Sequence, residues 1–179
     1  MKILIKNRSK IVLSIILILT IVMLSGCFGS NVTDKTFTSN GYSITLDSTF
    51  QDAKGEDQST EMLLKNTNIE LSVNKDDFES SNYPDAATIT ADVYARDFVY
   101  DYVYIYVDYY SEPYFYQEDD DNIARFDYQY YVSGELYYCY TVVHKGSAAF
   151  WISGFSCLNK NRSDLIDDIE KYANSITVE

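Results

Sequence analysis

ARFDYQYYVSGELYYCYTVVHKGSAAFWISGF, residues 124–155, decides the fold. Runs rich in Tyr, Val, Phe and Ile suit a pleated, half-buried surface, and turn chemistry interrupts them twice. ARFDYQYYV predicts one strand, Ser133-Gly134-Glu135 a turn, and LYYCYTVV a second strand. His144-Lys145-Gly146-Ser147 then predicts another turn, and AAFWISGF a third strand. Connections this short make an antiparallel meander.

Working outward, Ser163 can cap a helix whose first residue, Asp164, suits the positive end. Leu165, Ile169, Tyr172, Ala173 and Ile176 fall on one helical face. Upstream, ATITADVYARDFVYDYV (residues 87–103) has two readings. Ala91, Tyr94, Ala95, Phe98 and Tyr102 fit a helix, whereas Phe98, Tyr100, Tyr102, Tyr104 and Tyr106 alternate with Val and Ile as a strand would. Asp101 breaks the alternation, so a helix from about Thr88 to Tyr102 is expected. Nearer the start, Asn40-Gly41 is a turn, and Tyr42, Ile44 and Leu46 alternate with polar residues. Residues 51–60 read as a loop, and Met62–Leu64 and Ile69–Val73 as strand pieces. Pro84 marks another loop. Strands, helix, strands, helix is the order of an α+β domain, an antiparallel sheet packed with helices.

That order resembles the PsbP/Mog1-like α/β/α sandwich. The resemblance rests on GYSITLDSTF (41–50), ATITADVYARDF (87–98), the tyrosine-rich hairpin ending in FWISGF, and DLIDDIEKYANSI (164–176). It spans roughly residues 36–178, although Asp47 stands where related chains commonly carry proline. It implies little about activity: relatives mostly lack known catalysis and are often accessory or assembly factors. A binding or accessory role without a cofactor is expected, with a structural spacer domain or an envelope hydrolase as the alternatives.

The amino terminus points to a location. MKILIKNRSK is basic, and IVLSIILILTIVML (11–24) is an apolar run shorter than the roughly 20 residues of a spanning helix. "LSGC" at 24–27 closes it and resembles the bacterial lipobox. The resemblance implies diacylglycerol on the Cys27 thiol, cleavage just before it, and anchoring by more than one acyl chain. Residues 1–26 are then a signal peptide, 27–35 a lipidated cysteine and tether, and 36–179 a single extracytoplasmic domain held at the cell membrane.

Beyond Cys27, 10 basic residues stand against 27 acidic ones, a net charge of −17. Such a surface repels nucleic acid. The expected partners are the membrane, through the lipid, and an envelope protein or glycan. Sites for chemistry are sparse. His144, the single histidine, is expected in an exposed turn, and no Ser stands in a G-x-S-x-G context. Cys139 and Cys157 are candidates for a disulfide, but a turn centred on Lys145-Gly146 sets Cys139 opposite Ile152, so bonding needs a bend or another register. Glu118, Asp119, Asp120 and Asp121 cluster oxygens as a weak calcium site would, without EF-hand spacing. The densest signal is tyrosine: Tyr100, Tyr102, Tyr104, Tyr106, Tyr109, Tyr110, Tyr114 and Tyr116 are candidates for a peptide- or glycan-recognising face. Too many follow one another for all to point inward.

Overall fold

The meander is the centre of the fold. In the computed structural model, which describes residues 32–55, 59–80 and 85–179, three long antiparallel strands run side by side. They are β7 (Ile123–Val132), β8 (Glu135–Lys145) and β9 (Ala149–Leu158). β5 (Glu70–Asp77) pairs with the far side of β9, followed by β4 (Met62–Lys65) and β3 (Gln51–Asp52), and β6 (Tyr114–Phe115) closes the other edge against β7. The result is a seven-stranded antiparallel sheet. A second, three-stranded sheet holds β1 (Asp34–Ser39), β2 (Tyr42–Asp47) and β10 (Thr177–Val178). Both expected tight turns occur. Asn40-Gly41 and Ser133-Gly134 all have positive φ, which a two-residue hairpin turn of this hand requires.

Alternation along the long strands gives the large sheet two apolar faces. On one, Leu64, Leu71, Tyr138, Tyr140, Val142, Trp151 and Phe155 pack against Phe37, Ile44 and Leu46 of the small sheet. Ile169, Tyr172 and Ala173 of α3 (Arg162–Ala173) join them. On the other, Ala124, Phe126, Tyr128, Val143, Phe150 and Ile152 pack against Ala91, Tyr94, Ala95, Val99 and Val103. These last five belong to the helix after Thr90. Two layers thus cover one sheet, an α+β sandwich.

That helix departs from the expectation of Thr88 to Tyr102. It starts at α1 (Ala91–Phe98), where the Thr90 side chain accepts from the Val93 N–H, passes through a π-helical stretch (Val99–Val103), and ends in the turn α2 (Tyr104–Tyr106). The wider π turn places Val99 and Val103, four apart, both inward, and so turns the tyrosines between and beyond them outward.

The second meander turn is also shifted. β8 continues through Lys145, which pairs with Phe150, and the chain reverses over residues 146–148. The Lys145 N–H bonds to the Asn122 carbonyl at 2.8 Å, and its ammonium bonds to the Ala87 and Ile89 carbonyls at 2.9 and 2.8 Å. His144 is therefore a strand residue between Ile123 and Trp151, and buried, not an exposed turn residue. Cys139 lies opposite Ser156, four residues from the expected Ile152.

Candidate recognition surface

The tyrosines divide into two populations. Most of those inside are tied down through their hydroxyls. Tyr116 and Tyr138 both donate to the Asp127 carboxylate, at 2.6 and 3.1 Å. Tyr172 donates to Asp47 at 2.6 Å and Tyr94 to Asp76 at 2.9 Å, while Tyr42 shares a 2.9 Å bond with Ser153. Burial, and then the neighbouring carboxylate, pushes the Tyr116, Tyr138 and Tyr172 hydroxyls well above the ordinary phenol range. These groups stay protonated and act as donors that satisfy partly buried acids.

The other population lines the outer side of the helix. Tyr100 is 69% exposed and Tyr106 74%, and between them Tyr102, Tyr104 and Ile105 are exposed as well. Among the described residues Tyr100 stands by itself, whereas the other rings lean on one another. Phe98 stacks on Tyr102 at 5.2 Å, Tyr102 meets Tyr106 at 5.7 Å, and Tyr104 meets Tyr109 at 5.2 Å. The Tyr104 hydroxyl donates to Glu112 at 2.7 Å, and this bond raises its pKa. Beyond the helix, the band reaches the sheet edge, where Tyr109 bridges to Tyr130 and Tyr110 packs edge-on to Tyr131 at 5.6 Å. Tyr131 and Val132, also exposed, extend it and escaped the sequence reading because they sit inside a predicted strand.

Six of the eight candidate tyrosines thus form this band, and two do not. Tyr114 and Tyr116 point to the opposite face of the large sheet from Phe115, which packs on Phe126. Tyr114 is exposed there, and Tyr116 packs against the core. Strand alternation in β6 separates them from the helix band.

The remaining candidates resolve differently. Cys27 lies outside the described residues. Cys139 and Cys157 are free, buried thiols. Cys139 packs with Phe126 and Tyr128, Cys157 with Tyr138, so successive register positions carry the two side chains to opposite sides of the sheet. That arrangement does not join them. Burial raises both thiols, Cys157 to about 11. Among the described residues no group of three or more His, Cys, Asp or Glu side chains converges as a metal site. Two of the acids 118–121 are engaged separately: Glu118 pairs with Arg125 at 3.2 Å, and Asp120 accepts from both the backbone and side-chain nitrogens of Asn122. His144 leaves Nδ1 buried without a partner, and burial, with Arg125 nearby, lowers its pKa to about 4. It faces the core rather than a cleft.

No family model matches the chain, and no curated protein does. Solved structures share its architecture, two of them as follows. The solution structure of cyanobacterial PsbP (CyanoP) from Synechocystis sp. PCC 6803 is 14% identical, with a TM-score of 0.54 over 87% of this chain and 99% of that one. LpqN of Mycobacterium tuberculosis, described as involved in cell envelope biogenesis, is 9% identical, with a TM-score of 0.51 over 83% of this chain and 92% of that one. At such identities the likeness concerns the fold alone, and the fold of this chain is PsbP-like.

Proposed function

We propose that this protein is a lipid-anchored accessory protein of the cell envelope, acting outside the cytoplasmic membrane by binding rather than by catalysis. The observation that carries this reading is the tyrosine band. Large rings held at the surface by mutual stacking offer apolar area with little side-chain entropy left to lose, and their hydroxyls stay wet. The envelope location is supported by the lipobox-like LSGC and by a fold shared with LpqN. The lipid tether holds the domain close to its partners and raises their effective concentration.

The test is photo-crosslinking in intact cells from Tyr100 and Tyr106, each replaced in turn by a photoreactive residue. A discrete adduct is expected that is lost when Tyr104 and Tyr110 are changed to Ser and kept when Tyr114 on the other face is changed. Adducts of equal yield from all three backgrounds would defeat the reading.

A further inference from the structure

The large sheet is covered unevenly. On the face under the helix, α1 lies over β7 and β8, and the apolar residues there are contributed by β7, β8 and β9. The β5 residues on this same face are polar throughout: Glu70, Ser72, Asn74 and Asp76. Their neighbours Leu71 and Val73, on the opposite face, are fully buried. A strand inside a sheet, apolar on one side and polar on the other, has a wetted surface where a covering layer would otherwise bury apolar side chains.

A cleft of about 360 Å³ occupies this place, lined by Thr60, Lys65, Glu70, Ser72, Asn74 and Tyr102 among others. Three features build it. The π-helical stretch carries Tyr102 to its wall, and the stacked Phe98 ring holds Tyr102 there; π turns recur at functional sites. Gly154, next to Ser72 in the register, adds no side chain to the adjoining floor. Lys65 and Glu70, directly opposite across β4 and β5, form a 2.9 Å ion pair at the rim.

We propose that this cleft binds a neutral saccharide. The proposal rests on the binding reading above and gives it a ligand class. The lining selects by elimination. A lipid chain or other apolar ligand needs apolar walls, and here short hydroxyl, amide and charged groups dominate. An anion meets a domain of strongly negative charge whose one lysine in the cleft is already paired. A polyhydroxylated ring fits both parts: its C–H groups lie against Tyr102, and its hydroxyls exchange hydrogen bonds with Ser72 and Asn74.

The experiment is saturation-transfer NMR on the full-length protein in phosphatidylcholine nanodiscs, with chitotetraose and maltotetraose as probes. Inorganic phosphate and a lysine hexapeptide serve as competitors. Transfer to at least one sugar is expected, reduced tenfold or more in Y102A and in S72V, unchanged in Y114A on the opposite face of the sheet, and not displaced by either competitor. Both cleft variants alter surface positions, and circular dichroism verifies their fold. No transfer at about 10 mM sugar, a range that would still detect millimolar affinity, overturns the proposal, as does transfer that survives both cleft variants or yields to phosphate or peptide. If sugars fail while the crosslinked adduct from Tyr100 persists, the saccharide assignment alone falls; if both fail, the binding reading falls with it.

Discussion

Single residues show how this sheet tolerates polar atoms in its interior. His144 is the clearest case, a neutral imidazole among apolar strands whose Nδ1 has no partner. Burial disfavours its cation first; the Arg125 guanidinium adds to that, and Asp120 opposes it. The sign of the stability effect follows. With the folded pKa lowered to about 4 from an ordinary 6.5, the unfolded chain binds the extra proton across that interval, so stability falls as the solution is acidified from pH 6.5 towards 4. The expected loss is at most about 3 kcal/mol. Urea unfolding at pH 7 and at pH 4.5 should show a smaller acid loss for H144F than for the natural chain. Asp47, whose hydrogen bonds from Thr49 and Tyr172 outweigh its burial and lower its pKa, weakens both proteins alike and cancels in the difference. An equal acid loss in both proteins would mean that His144 takes up its proton without cost.

At the scale of elements, the helix from Ala91 to Tyr106 carries two surfaces with opposite tasks. Val99 and Val103 are buried against the sheet, whereas Tyr100 and Tyr106 stand in solvent. Truncating V103A should cost about 2 kcal/mol through lost burial and the space left behind. Y100S and Y106S should each stay within about 0.5 kcal/mol, as surface changes do. Denaturant midpoints of the three variants provide the check, and a large cost at Tyr100 would mark the band as a packing feature. The same helix shows where the sequence was legible. Its inward face was readable from the spacing of Ala91, Tyr94, Ala95 and Phe98. Its end was not, because a π turn shifts the phase of the pattern without changing composition. The meander was readable from alternation and glycine-containing turns, yet its second reversal was displaced, since the tertiary bonds of Lys145 that prolong β8 leave no local mark. Most of the tyrosine band was legible from density alone. The cleft beneath it was not, though ELSVN (residues 70–74) carried the signal, alternating buried Leu71 and Val73 with polar partners.

For the whole molecule, charge and tether belong to one argument. A domain with 27 acids against 10 bases beyond Cys27 gains nothing from anionic headgroups, so its own surface does not hold it at a membrane. On the proposed envelope reading, attachment falls to residues 1–27, which lie outside the described residues. A hydrophobic run of signal-peptide length offers two routes to attachment, retention as an uncleaved anchor or replacement by acyl chains on the thiol. Membrane pelleting cannot separate them, because either route sediments the protein. Intact-mass spectrometry of the chain purified from its native host can. The lipoprotein reading expects a polypeptide beginning at Cys27 and heavier than its sequence by a diacylglycerol group. It also expects C27S to keep residues 1–26, since cleavage follows modification of the thiol. A natural chain that retains its first 26 residues with an unmodified Cys27 would remove the acyl anchor from the account. It would leave the −17 domain attached by peptide alone, with the tyrosine band and the cleft unchanged.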